Sequence, residues 1–208
     1  MSSSRAAVRT SYRPRSSAWL TGASWVLLAG LGATQTELGG AAGGLRAAPW
    51  VLGLGYLAWL VFWHPRLDVR DDAVVAVNPV RTVEVPWAAL IDVGTQYALT
   101  LVTPHGRYRA WAAPSPGRHR ALTAGPDDLT GLPGSTFDGK RSAQIGDLRG
   151  TASGAAGELV RAHWQHLVES GTLEAGVADA TPVTSRWDRA AVTVLAGCVV
   201  LGVVAQLV

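Results

Sequence analysis

Three stretches without a charged residue constrain this chain most strongly. They cover residues 18–34, 47–63 and 190–208. Each is close to the length that a helix needs to cross a hydrocarbon layer of about 30 Å. A Gly-rich turn at 35–44 joins the first two. The pattern therefore predicts a transmembrane helical hairpin at 18–63 and a C-terminal transmembrane helix at 190–208.

Each assignment has an alternative. The first segment also has the arginine-rich start and apolar run of a cleaved signal peptide. Against cleavage, Leu31 occupies a position where a small residue is preferred for a cut after Ala33. The last segment has the alternative of a buried helix or strand in a soluble domain. Its length and its lack of charge favour a membrane span.

The arginines predict an orientation for these spans. They stand before the first span, after the second and before the third, at Arg5, Arg9, Arg13, Arg15, Arg66, Arg70, Arg186 and Arg189. The turn between the first two spans holds only Arg46. Because basic loops stay inside, we expect a multi-pass protein of the cell membrane. Its N-terminal tail 1–17 and its central domain are cytoplasmic in this prediction, and its C-terminus lies outside.

Composition narrows the class of partner and the chemistry. The net charge is +3, and the basic residues are spread along the chain, which does not indicate a nucleic-acid partner. The lipid bilayer is the expected environment, because hydrophobic residues make up 48% and charged residues only 16% of the chain. Cys198 is the one cysteine, which excludes an internal disulfide framework and a cysteine-based zinc site.

Residues 65–112 have the pattern of short antiparallel strands. About six runs of Val, Leu, Thr and aromatic residues alternate with polar residues, and Asp-Asp, Asn-Pro and Pro-His-Gly turns separate them. Val83, Val85 and Trp87 fall on one face of a strand, so we expect Trp87 in the core. Pro86 marks an edge, a bulge or a strand end, because proline cannot donate to a ladder. So many short strands predict a small, bent sheet or partial barrel whose open face needs a cover.

A loop at 113–151 and an amphipathic helix at 154–170 follow. The loop is rich in Pro and Gly and is either disordered or functional. The helix carries an apolar stripe of Val160, Trp164, Leu167 and Val168, with Ser153 as the expected N-cap and Gly171 as the stop. We expect the stripe to pack on the sheet with Trp164 at the contact. The alternative is a helix lying on the membrane surface.

Several motifs resemble a known family. They are Pro-Arg-Leu-Asp-Val-Arg-Asp-Asp from Pro65, Asn-Pro-Val-Arg from Asn78, Val-Pro-Trp ending at Trp87, and Gly-Arg-Tyr-Arg-Ala-Trp-Ala ending at Ala112. With two preceding spans, this resembles small bacterial membrane proteins that carry a pleckstrin-homology (PH)-like domain. Their type is named after low molecular weight protein antigen 6 of high-GC Gram-positive bacteria. The resemblance implies an α+β membrane protein with a PH-like barrel and no established catalytic activity. It transfers no functional residues, and we expect only structural roles for Trp87, Trp111 and Trp164.

A search for catalytic and ligand motifs gives no enzyme prediction. His163 and His166 lie three residues apart on the predicted helix, but no third metal ligand has supporting spacing. The chain has no Gly-x-Ser-x-Gly elbow, and Gly139-Lys140-Arg141 lacks the rest of a phosphate-binding loop. We therefore expect no catalytic residues, no metal and no cofactor.

Two functional hypotheses remain open. In the first, the cytoplasmic PH-like domain is an interaction or scaffolding module for an unidentified membrane or cytoplasmic protein. In the second, it senses anionic lipid headgroups, because basic clusters beside a span attract anionic lipid. The contact residues expected for either role are Arg66, Arg70, Arg81, Arg107 and Arg109.

Overall fold

The computed structural model describes residues 8–95, 97–114, 152–173 and 176–207. Most of the predicted 113–151 loop lies outside these residues. The helices are α1 Ser16–Ala58, α2 Ala152–Glu169 and α3 Arg189–Leu207. The strands are β1 Val8–Tyr12, β2 Arg66–Arg70, β3 Ala73–Val77, β4 Arg81–Pro86, β5 Asp92–Gly94, β6 Ala98–Thr103, β7 Gly106–Pro114 and β8 Thr184–Trp187. The α+β class is therefore confirmed. The chain divides into two compact units, one helical and one rich in strands.

The first part of the helical unit is a reversed pair of helices. Within α1 the chain turns at Gly40, whose φ of 62° lies in the region that favours glycine. A Cβ added at Gly55 would lie 3.6 Å from the ring of Trp25, and one at Gly32 would lie 3.6 Å from Val51. The two halves of α1 therefore pack antiparallel on either side of Gly40. A π-helical turn, Trp59–Trp63, ends the second half.

Helix α3 packs closely on the second half of α1. A Cβ added at Gly53 would lie 2.8 Å from the Cβ of Cys198, and one at Gly202 would lie 2.6 Å from the ring of Trp50. Glycine at these two positions lets the helices approach, as small residues do in membrane helix pairs.

Two helical segments, Ser16–Trp63 and Arg189–Leu207, are long and apolar enough to cross a membrane by length and composition. Only 17% and 11% of their most apolar windows are buried. Their apolar side chains therefore face outward rather than into a protein core.

The strand-rich unit holds two sheets rather than a closed barrel. The first sheet has the order β1-β2-β3-β4-β8, and the second has the order β5-β6-β7. In the described residues the strands form sheets, as one of the two alternatives predicted, and not the closed PH-like barrel that the resemblance implies. Six strands are present between Arg66 and Pro114. The helical turn Trp87–Ala89 separates β4 from β5, so the chain leaves the first sheet before it starts the second.

Strand β1 lies inside the predicted N-terminal tail 1–17, where the sequence pattern predicts no strand. Tyr12 pairs with Leu67 and Ser11 with Asp68. The Ser11 hydroxyl donates to Asp68 Oδ1 (2.7 Å), and Arg66 Nε–H donates to Asp68 Oδ2 (3.1 Å). Asp68 is therefore buried, and both of its carboxylate oxygens accept hydrogen bonds. The Tyr12 side chain packs against the core, and burial raises the pKa of its phenol.

Trp87 lies in the core, as expected, but not on a strand. Its side chain is 1% exposed, and it opens the helical turn after Pro86. Proline cannot continue the ladder, so the strand ends before the tryptophan. The indole Nε1–H donates to the carbonyl of Arg70 (2.9 Å), and the backbone N–H donates to that of Asp72 (3.2 Å). The ring also contacts His163 of α2, with 4.9 Å between centroids.

We predict that Trp87→Ala lowers the free energy of unfolding by about 3–5 kcal/mol, because it leaves a large cavity and an unpaired carbonyl. Hydrogen exchange of the strand amides in the detergent-solubilised full chain measures this loss. Trp111→Ala is the matched control, since Trp111 is 57% exposed. A loss no larger than that of the control would place Trp87 outside the core.

Helix α2 covers the sheet mainly through small residues of its first half, and Trp164 adds a contact at the edge of the core. It begins at Ala152, so Ser153 is buried inside the first turn and is not the N-cap. The deepest contacts come from Ala156, Gly157 and Val160, and a Cβ added at Gly157 would lie 2.9 Å from Thr95 Cγ2. Trp164 and Leu167 pack at the edge of the core, while Val168 is 54% exposed. The apolar stripe is therefore displaced toward the N-terminus of the helix.

We expect Gly157→Leu to separate α2 from the sheet, because overpacking a tight contact costs about 1–3 kcal/mol. Hydrogen exchange in β5 and β6 should rise, since these strands lie beneath the helix. Ala155→Leu places the same side chain on the exposed face of the helix and should leave exchange unchanged. Equal exchange in the two variants would contradict this docking.

Candidate functional site

The five arginines expected at a contact site do not form one cluster. Arg66 pairs with Asp68, with 3.1 Å between Nε and Oδ2, and Arg70 reaches Glu84, with 3.9 Å between Nη1 and Oε2. Arg81 lies at the start of β4, with its guanidinium 5.8 Å from the ring centroid of Trp187. Arg107 and Arg109 are exposed on β7. Arg107 and Arg109 lie on the same face of one strand, and neither forms an ion pair with an acidic residue in the described part of the chain.

The outer side of β7 carries the most distinctive exposed surface of the strand-rich unit. Arg107, Arg109 and Trp111 are exposed and alternate with Tyr108 and Ala110, which face the core side. We call Arg107, Arg109 and Trp111 the β7 face. On β6, Val102 pairs with Arg107 and Thr100 with Arg109. These pairs extend the β7 face onto the neighbouring strand.

Across the same sheet, Asp92 of β5 pairs with Val102. Asp92 is exposed and brings one acid to this side of the sheet, two strands from Arg107. The positive charge is therefore concentrated along β7 itself. The arrangement suits a ligand that meets the outer strand rather than the middle of the sheet.

Asn78 holds the backbone beneath the β7 face. Its side-chain Nδ2–H donates to the carbonyl of Arg109 (3.0 Å), and the Trp111 N–H donates to its Oδ1 (2.7 Å). The side-chain amide therefore pairs with β7 as a neighbouring strand would, and it satisfies two polar groups at the strand edge. From the sequence, the Asn78-Pro79 pair predicts only a turn. The signal that points to this further role is the side-chain amide itself, which offers a donor and an acceptor together.

We predict that Asn78→Asp removes one of the two hydrogen bonds between this side chain and β7 and keeps the other. The aspartate still accepts from the Trp111 N–H, but its second oxygen opposes the Arg109 carbonyl, and one neutral hydrogen bond is worth about 0.5–1.5 kcal/mol. Asn78→Ala should lose both bonds and expose the Trp111 amide to exchange. Residue-resolved hydrogen exchange of the full chain separates the two variants.

The control for this series is Gln165→Glu, which makes the same amide-to-acid change on the exposed side of α2. It should leave exchange in β7 unchanged. If the Trp111 amide is as protected from exchange in Asn78→Ala as in the wild type, the Asn78 side chain does not hold the edge of β7.

The histidine pair of the sequence analysis has separate environments. His163 contacts Trp87, while His166 is exposed. Among the described residues, no group of three or more His, Cys, Asp or Glu residues is placed to hold a metal ion. The groups that the β7 face offers are guanidinium and indole. They bind anions and apolar surface.

The comparisons with known proteins agree with this architecture. Residues 64–145 match the family model of the bacterial PH domain. The matched range begins just before β2 and includes all six strands through β7, while α1, α2 and α3 lie outside it. No curated protein and no solved structure matches the chain. The resemblance seen in the sequence motifs is confirmed: this is a bacterial PH-domain-containing protein.

Proposed function

We propose that this protein is a membrane-tethered, non-catalytic interaction module whose PH domain binds a protein partner through the β7 face. The observation that carries the proposal is the alignment of Arg107, Arg109 and Trp111 on one exposed strand face. Arginine and tryptophan are enriched among the residues that dominate binding energy at protein interfaces. The partner surface that fits is acidic and has an apolar recess for the Trp111 indole.

The tether is supported by the two apolar helical segments and by chain connectivity. Tyr12 pairs with Leu67, and these residues lie just before α1 and just after its terminal π-helical turn. Neighbouring strands at the two ends of the hairpin support an arrangement with both ends on one side of a membrane. Helix α3 follows β8 of the same sheet, which supports a start on that side too. The arginines at these ends favour the cytoplasm.

A second candidate is the anionic-lipid sensor. Binding of anionic lipid is also compatible with a PH domain. The surroundings of the five arginines support this role less than they support a protein partner. Arg66 and Arg70 are paired with Asp68 and Glu84, and these pairs lower the charge available to a headgroup. Arg107 and Arg109 lie beside an exposed indole, which suits a protein surface at least as well.

The test is photo-crosslinking of the full chain in living bacteria. A photoreactive amino acid at position 111 should give a protein adduct, whereas the same group at the exposed position 91 should not. Arg109→Glu should reduce the adduct at least tenfold by reversing a charge beside the indole. Gln165→Glu, on the exposed side of α2, should leave it intact. Mass spectrometry should place the linked partner peptide in an acidic segment.

A cytoplasm-only reporter tests the tether in the same cells. It should be active when inserted within residues 115–151 and inactive when fused after Val208. A phospholipid adduct at position 111 in place of a protein adduct would favour the lipid sensor. An active reporter after Val208 would contradict the orientation.

A further inference from the structure

The start of α3 carries a second cluster of basic and aromatic residues. The N–H of Asp188 donates to the carbonyl of Val80 (2.9 Å), which ties the segment before β4 to the segment before α3. Asp188 Oδ1 accepts from the N–H of Ala191 (3.0 Å), so Asp188 caps the first turn of α3. The entry into α3 is therefore held by hydrogen bonds on both sides of Asp188.

Three side chains surround the start of α3: Arg81, which lies over the indole of Trp187, and Arg189. The Arg81 guanidinium lies 5.8 Å from the ring centroid of Trp187, within the range of a cation–π contact. Trp187 is nevertheless 64% exposed, and Arg189, the first residue of α3, is exposed too. We call Arg81, Trp187 and Arg189 the α3 entry cluster. Stacking on an indole orients a guanidinium without removing its charge.

The cluster keeps its positive character beside Asp188. Asp188 caps the helix, where the partial positive charge of the helix N-terminus balances its carboxylate. Arg186 precedes Trp187 in the sequence and is also exposed. An anion approaching Trp187 therefore meets the exposed Arg189 side chain beside the guanidinium of Arg81.

The chain then becomes apolar at once. Helix α3 has 19 residues and no charge after Arg189. Val192 and Val194, in its first two turns, are exposed. A ligand that fits both features has an anionic group for the arginines and hydrocarbon chains for the valines. Tryptophan at such a polar–apolar border is typical of the headgroup level of a membrane.

We propose that the α3 entry cluster binds the phosphate of an anionic glycerophospholipid, with the acyl chains lying along the first turns of α3. This site is separate from the β7 face, and it rests on the membrane tether of the proposed function. Guanidinium groups bind phosphate through paired N–H donors, and Arg81 is held in place for this by Trp187. The lipid contact thus lies where the chain enters the bilayer rather than on the outer strands of the PH domain.

The experiment uses the purified full chain in a non-ionic detergent, with lipid binding measured by native mass spectrometry. The probes are dihexanoyl phosphatidylglycerol, dihexanoyl phosphatidylcholine and glycerol 3-phosphate. We expect phosphatidylglycerol to bind more tightly than phosphatidylcholine and much more tightly than glycerol 3-phosphate. Arg81→Gln and Arg189→Gln should each weaken phosphatidylglycerol binding about fivefold, which corresponds to about 1 kcal/mol per basic residue. Arg107→Gln, on the β7 face, is the matched control and should bind as the wild type does.

Three outcomes of the lipid-binding measurement would contradict the proposed site. Equal affinity for the two lipids, or wild-type binding by both Arg81→Gln and Arg189→Gln, would overturn it. Equal binding of glycerol 3-phosphate would mean a site for free phosphate and not for lipid. Carbonate extraction of cell membranes tests the tether separately. A chain that stays in the membrane but shows no lipid preference refutes the cluster alone, and a chain released by carbonate refutes the tether.

Discussion

The burial of Trp87 is the interaction on which the PH domain most depends. The Trp87 indole donates a hydrogen bond to the carbonyl at the end of β2, and the Trp87 backbone N–H donates to a carbonyl in the turn before β3. Its ring contacts His163 of α2, so strands from one sheet and the covering helix meet on the same residue. A proline ends β4 immediately before it, which frees the tryptophan from the ladder and turns its side chain into the core. Trp87 therefore joins β2, the turn before β3 and helix α2 in one core.

The first sheet is completed by strands from distant parts of the chain. Strand β1 precedes the α1 hairpin, and β8 precedes α3, yet both belong to the sheet of β2, β3 and β4. The polar network of Ser11, Asp68 and Arg66 joins β1 to β2. The two edge strands of this sheet are therefore the segments next to the apolar helices along the chain.

The two proposed contacts divide the basic residues by their surroundings. On the β7 face, Asn78 fixes the strand edge, and Arg107 and Arg109 stand beside an exposed indole. At the α3 entry, Arg81 stacks on Trp187 next to an apolar helix. We therefore propose different ligands for an arginine beside an exposed strand and for one beside an apolar helix, although their chemistry is the same. One surface therefore suits a protein and the other a phospholipid.

The sequence by itself determined the short strands, the apolar segments, the burial of Trp87 and the resemblance to PH domains. These features depend on local alternation, uncharged length and proline position, which neighbouring residues settle. Tertiary structure decided the rest. It made a strand of the N-terminal segment, buried Asp68, placed Gly157 rather than Trp164 at the deepest helix contact, and turned Asn78 into a strand partner for β7. Each of these depends on a residue far away in the chain, and periodicity along the sequence carries no information about such a partner.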